Sequence, residues 1–392
     1  MLAAQMKVDY KTVRNMRSIL FFFKQDLETK LIFASLLFSS TVIFIYLISV
    51  WISNRRKKRE RELNKIREQR QEMLSLILFD DNPESEAYQT IFGLPEFASH
   101  STTRLGKRKK NRYRQIMLNE MLDIKKNLSQ ASLTPLYELY NKLELHKDSL
   151  RKMKSRKYRE VVLGIREAAS MNYKYHYKEI YDFTSHPNEI IRVEAQEAMV
   201  RIWQSSGLRF LSKSSYDVSD WEQMSLINLL QLSNNKKPKH ISKWLSSENY
   251  TIVIFALRLS ALYNCYELLE KIYNCLYHTH DRVKTEAVNC LKTIYDENTE
   301  LLLTDYFKQV STTVQRSVMR ALASMASSES TSFFFQQLRH NDVEIRLWAV
   351  KSLHSKGYEH QILTALENEP EQQSDVMLML DQIKTEENLY KQ

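Results

Sequence analysis

The stretch HNDVEIRLWAVKSL, residues 340–353, carries the pattern that decides the fold, and HDRVKTEAVNCL, residues 280–291, carries it again. In each, a polar residue that favours a helix start precedes apolar residues one turn apart: Ile345 and Ala349 in the first, Val283 and Ala287 in the second. Residues four apart lie on one face of an α-helix, so each stretch reads as a capped helix with a single buried face.

Aligning the whole C-terminal region on Ala349 and Ala287 gives a register of Val162, Ala195, Ser225, Ala256, Ala287, Val318, Ala349 and Leu380, with steps of 33, 30 and then 31 residues throughout. Four positions earlier stand Tyr158, Ile191, Trp221, Ile252, Val283, Val314, Ile345 and Val376. Fifteen positions before the register, in a preceding helix, stand Ile180, Phe210, Ile241, Ile272, Leu303 and Phe334. Asn188, Asn249, Asp281, Ser311, Asp342 and Asp375 fall where the second helix of each unit needs an N-cap. The unit is therefore helix, turn, capped helix. It cannot bury its apolar face alone, and stacking eight copies from about residue 132 onward builds one continuous core.

These units resemble short bacterial HEAT repeats, the kind also found in phycobilin lyases. The resemblance covers residues 132–392 and is strongest over residues 180–353. It implies an all-α fold, a right-handed α-solenoid of about eight helix pairs that binds protein, with the second helices on the concave side. It supplies no reaction. Arg159, Arg192, Lys284, Gln315 and Arg346 stand three residues before the register, on what reads as the exposed side of the second helices. In the family such residues commonly bond acidic caps of neighbouring units, here Asp281 and Asp342; the other reading is a partner-binding stripe. Glu222 and Val253 interrupt that stripe, so a continuous basic groove is not expected.

Upstream, residues 31–52 (LIFASLLFSSTVIFIYLISVWI) contain no charge. At about 1.5 Å per residue a helix of this length crosses a hydrocarbon core of roughly 30 Å. The stretch is too long for a signal-peptide core, and no small-residue cleavage site follows it. Nine cations lie within twenty residues after the span and five before it. That excess places the N-terminus outside and the C-terminal region in the cytoplasm, so the expected location is a bacterial inner membrane crossed once. The expected organisation is a short arm (1–30) whose Ser18 to Phe23 segment suits an interface, the span (31–52), a basic juxtamembrane helix (53–79), a linker (80–112) and the solenoid (113–392). Two basic runs, Arg55, Arg56, Lys57, Lys58, Arg59 and Arg61, then Lys107, Arg108, Lys109 and Lys110, are candidates for contact with anionic lipid. The other readings are a topology signal for the first run and a solvated helix start for the second.

The chain carries a net charge of +10, distributed unevenly. Residues 1–130 hold 24 Lys and Arg against 14 Asp and Glu, whereas residues 131–392 hold 33 of each. A nucleic-acid-binding solenoid would be expected to carry a basic excess itself. With 5 glycines in 392 residues and no phosphate-loop pattern, nucleotide chemistry by those routes is excluded. No C-x-x-C, H-E-x-x-H or G-x-S-x-G occurs. The three cysteines suit a reducing compartment rather than a disulfide framework. Cys275, His278, His280 and Asp281 form a metal-like run, but it straddles an inter-helix turn, where polar residues are wanted anyway, and neither metal nor cofactor is expected. The expected function is that of a membrane-anchored scaffold, not an enzyme, with a membrane-associated protein as partner and neither nucleic acid nor a small molecule as ligand. The alternatives are an enzyme or cofactor carrier like the phycobilin lyases, and a nucleic-acid-binding solenoid.

Overall fold

The computed structural model describes residues 27–78, 86–97, 106–127, 133–232, 236–325 and 330–390. The N-terminal arm, apart from its last four residues, and the Ser/Thr cluster at residues 99–103 lie outside them. Among the described residues every regular element is helical, and the chain divides at Pro135 into two compact units.

The first unit is built on α1 (Leu27–Leu78), a single helix in which the uncharged segment and the basic segment that follows it run together without a break. No Gly or Pro interrupts it, so nothing stops the backbone hydrogen bonds continuing past Ile52. Its apolar N-terminal half is exposed all round, with Phe38 at 70% and Leu37 at 68%. Its C-terminal end is packed: Leu74 and Ile77 are buried, as are Tyr88 and Ile91 of α2 (Glu86–Phe92) and Ile116, Met117, Leu118 and Met121 of α3 (Lys107–Asn127). Arg70 on α1 reaches Glu96 at 2.5 Å, a pair almost wholly removed from solvent. The domain boundary expected at residue 113 is corrected on both counts. Helix α3 already begins at Lys107, and it packs on α1 as part of the first unit rather than opening the repeats.

The second unit is a stack of helix pairs. After α4 (Thr134–Lys142) come α5 (Leu145–Met153) with α6 (Tyr158–Ser170), and α7 (Tyr177–Phe183) with α8 (Glu189–Trp203). The third pair has a 3-10 run, Gln204–Lys213, in place of its first helix, followed by α9 (Asp220–Leu232). Then follow α10 (Ile241–Trp244) with α11 (Tyr250–Leu262), α12 (Leu269–Cys275) with α13 (Asp281–Leu291), α14 (Thr299–Tyr306) with α15 (Thr312–Met325), α16 (Thr331–Gln337) with α17 (Val343–Ser355), and α18 (Glu359–Ala365) with α19 (Pro370–Tyr390). One apolar core runs from Met153 to Ile383.

All six residues of the first-helix column, from Ile180 to Phe334, are buried. The second-helix column needs two corrections. Val162 and Ser225 are only half-buried, and Tyr158 and Trp221, one turn earlier, are exposed, Trp221 at 82%. The buried positions there are Ile165 and Leu226, so the column runs Ile165, Ala195, Leu226, Ala256, Ala287, Val318, Ala349, Leu380. The apolar alternatives one to three residues away made either phase fit the sequence.

Helix ends explain the turn chemistry. Asn188, Asn249 and Asp342 cap their helices, accepting from the N–H groups of Ile191, Thr251 and Ile345. Asp281 and Asp375 do not act as caps: Asp281 is the first residue of α13 and bonds Lys284 and Ser311, and Asp375 lies inside α19 and pairs with Arg346. Ser311 spends its hydroxyl on Asp281, at 2.5 Å. The third unit uses a reciprocal cap instead, in which Ser219 Oγ accepts from the Glu222 N–H while the Glu222 carboxylate accepts from the Ser219 N–H. At their far ends α6, α11 and α17 close with a left-handed residue, Asn172, Asn264 or Gly357. The next N–H then bonds back to Ala168, Ser260 or Leu353, each at 3.0 Å.

Candidate functional site

The residues expected to form a partner-binding stripe do other work. Arg192 and Arg346 are buried, and each guanidinium donates to a carbonyl of the turn before its own helix: Arg192 to His186 at 3.1 Å, Arg346 to His340 at 2.8 Å and Asn341 at 3.1 Å. Gln315 donates to the Phe307 carbonyl at 3.0 Å. In the third unit, with the corrected register, Gln223 does the same to Val218, and it also donates to the Thr251 carbonyl in the first turn of α11. These side chains satisfy carbonyls left open where the first helix of a pair ends. They are therefore not on an exposed face, which corrects the sequence reading. Lys284 bonds Asp281 on its own helix, and Arg159 lies beside the Tyr158 ring.

The outward edges of the second helices are joined by charge pairs between neighbouring units. Arg166 pairs with Glu194 at 2.5 Å, Arg258 with Asp220 at 3.0 Å and Glu286 at 3.3 Å, and Arg316 with Asp342 at 2.6 Å. Such half-exposed pairs are screened by solvent and contribute little to stability.

The metal-like run also resolves into structural roles. His278 Nδ1 accepts the His280 N–H at 3.1 Å, His280 stacks on Tyr250 with ring centroids 4.5 Å apart, and Cys275 Sγ faces the Leu245 carbonyl. Among the described residues no group of three such ligands converges. The His278 arrangement recurs: His186 Nδ1 accepts from the Asn188 N–H and His340 Nδ1 from the Asp342 N–H, both at 3.0 Å, while in the fourth unit Ser247 Oγ accepts from Asn249. Cys265, Cys275 and Cys290 are buried and unpaired, and burial pushes the Cys275 thiol up to about 11 and the Cys290 thiol up to about 12. They stay protonated and unreactive at neutral pH.

The basic runs of the first unit lie on separate helices. Arg55, Arg56, Lys57, Lys58, Arg59 and Arg61 are exposed on α1, where the Arg55 guanidinium sits 3.9 Å from the centre of the Trp51 ring. Lys107, Arg108, Lys109 and Lys110 form the first turn of α3, the first three of them exposed.

A concavity lies where the first elements of the helix pairs are shortest, at the third and fourth units. There the first elements are the 3-10 run and α10, a single turn of helix, and the recess between them encloses about 1070 Å³. Gly207 holds the 3-10 run against α8, since a Cβ at that position would lie 2.2 Å from the Met199 carbonyl oxygen. Pro238 precedes α10, with three lysines around it in Lys236, Lys237 and Lys239. Trp244 forms the floor, its indole N–H donating to Ser212 Oγ at 2.9 Å, and Lys271 from α12 ties down α10 through Ser242 at 2.8 Å. A second hollow of about 380 Å³, bounded by Tyr177, Tyr181 and Arg209, shares Ser212, Lys213, His240 and Lys243 with the first.

Cations and hydroxyls line the recess. Lys213, Lys239 and Lys243 line it, and Arg209 lines the adjoining hollow. All four are exposed, and none is within salt-bridge distance of an acid among the described residues. The acidic residues on the rim are Asp217 and Glu248. Six serine hydroxyls, including Ser212, Ser214 and Ser246, complete the lining. Sequence reasoning missed these residues. The available signal was two acid-free segments, residues 201–216 and 233–247, that cancel against acids elsewhere when charge is summed over the whole solenoid.

No protein-family model matches the sequence, and no curated protein matches it. Among solved structures, the chain is similar to an engineered protein at 15% identity and a TM-score of 0.35, covering 82% of this chain and 98% of that one. It is also similar to the complex of CpcE and CpcF of phycocyanin lyase from Nostoc, at 12% identity and a TM-score of 0.24, covering 74% of this chain and 98% of that one. The fold is defined by the helix pairing within the chain itself.

Proposed function

We propose that this protein is a membrane-anchored helical-repeat scaffold that docks a protein partner and catalyses no reaction of its own. The observation that carries the reading is the union in one chain of a stacked-pair unit with an uncharged helical segment, residues 31–52, whose large side chains are all exposed. Leaving the apolar side chains of this segment exposed to water would be costly, at about 25 cal/mol per Å² of apolar surface, and a bilayer removes that cost. The cations of residues 55–61 follow the apolar segment directly, which supports a cytoplasmic location for the repeats and an external N-terminus in a bacterial inner membrane. Confinement to a membrane surface raises the effective concentration of the repeats near membrane-bound partners, so modest affinity suffices.

The test is fractionation followed by protease treatment. The full chain should remain in membranes after an alkaline wash, and protease should digest the repeats in inverted vesicles but not in intact spheroplasts. Digestion from the outside would reverse the assigned sidedness. Affinity purification from detergent-solubilised membranes should then recover a stoichiometric protein partner.

A further inference from the structure

We infer that the recess at the third and fourth helix pairs is a docking site for an acidic, extended segment of a partner protein, read by Arg209, Lys213, Lys239 and Lys243. The inference deepens the partner-binding reading and rests on it. Where cations on the second-helix edges are spent on neighbouring acids, these four are unspent and border two hollows that share four lining residues. They project from separate elements, the 3-10 run, the segment around Pro238, and α10, so an anion bridging them must be long and must carry several charges. Serine hydroxyls between the cations offer hydrogen bonds to peptide groups and to carboxylates alike.

Two other polyanions fit less well. Single-stranded nucleic acid needs open aromatic faces for its bases. Here Tyr177 stacks on Tyr181 with centroids 5.6 Å apart and meets Trp203 edge-on at 4.9 Å, so those rings are already engaged. Residues 131–392 are also neutral as a whole, whereas a nucleic-acid-binding solenoid is expected to carry a basic excess of its own. A bilayer presents its headgroups as a plane, whereas these cations border a concavity. Lys271, the remaining cation of the lining, is engaged with Ser242 and holds the wall in place.

The test uses the full chain in detergent micelles and a fluorescein-labelled Glu-rich peptide, with binding read by anisotropy. Lys213→Glu with Lys243→Glu should weaken binding roughly tenfold or more, and Lys213→Ala with Lys243→Ala by a smaller factor. Lys292→Glu with Lys308→Glu, the same charge change on exposed residues away from the recess, should leave affinity within about twofold. Helix content and melting temperature, measured in parallel, should match the parent protein for all three. Equal loss in the control pair, or no saturable binding of the peptide, overturns the assignment. So does displacement of the peptide by single-stranded DNA, or by phosphatidylglycerol micelles, at lower charge concentration than by unlabelled peptide. Because the peptide is soluble, failure here leaves membrane anchoring untouched, and failure of anchoring leaves this measurement intact.

Discussion

His278 and His340 hold their turns through an unprotonated ring nitrogen, because Nδ1 accepts a backbone N–H two residues on. Burial lowers the tendency of both rings to take up a proton. For His278 the neighbouring His280 and Lys284 act in the same sense, whereas at His340 Asp342 opposes the shift and Arg346 reinforces it. A base whose folded pKa lies below its unfolded value of about 6.5 contributes stability that is complete above that value and is lost as pH falls through the folded one. The melting temperature should therefore drop as pH falls below about 6.5. In His278→Ser with His340→Ser that drop should shrink, while stability at neutral pH is largely kept, because Ser247 already does this work in the fourth unit. A pH dependence unchanged in the double variant would place it elsewhere. Gly207 makes a second prediction at this scale: a methyl group there meets the Met199 backbone, which cannot move as a side-chain tip would. Gly207→Ala should cost about 1–3 kcal/mol in chemical denaturation and distort the wall of the recess.

Among the elements, the pairs with full first helices were legible because side-chain chemistry and period agreed. Ile272, Leu303 and Phe334 have one apolar face, and every residue of that column is buried. Ile272→Ala should accordingly cost about 2–5 kcal/mol, measured by urea unfolding. The third unit was misread for a local reason. Trp221 is apolar and sits at the expected spacing, yet it is exposed, because the reciprocal Ser219 and Glu222 cap fixes the start of α9 and with it the phase of the helix. Ser219→Ala should cost about 1 kcal/mol and leave Trp221 fluorescence solvent-exposed. The recess escaped sequence reading because it arises from what the third and fourth pairs lack. Ser205, Ser206 and Gly207 weaken the helix and Pro238 ends the preceding connection, but neither signal says that the shortened elements face each other across a cationic gap. Buried Arg192 and Arg346 were misplaced for the opposite reason: a guanidinium three residues before a core position reads as surface until the turn carbonyls that receive it are seen.

At the scale of the whole chain, the apolar core of the repeats runs from Met153 to Ile383. Stability in such a stack is roughly a sum of unit terms and nearest-neighbour terms, so the repeats carry their own. Residues 132–392, expressed alone, should therefore be soluble, strongly helical by circular dichroism and cooperative in melting, while the full chain should need detergent. The Glu-rich peptide should bind that fragment as it binds the full protein, because every residue lining the recess and its adjoining hollow lies between Tyr177 and Lys271. Recruitment of a membrane-bound partner in cells should nevertheless fall sharply for the fragment, since release from the bilayer removes the local concentration that makes a modest affinity effective. A fragment that recruits the partner as well as the full chain does would show that affinity alone suffices, and α1 would then need another purpose.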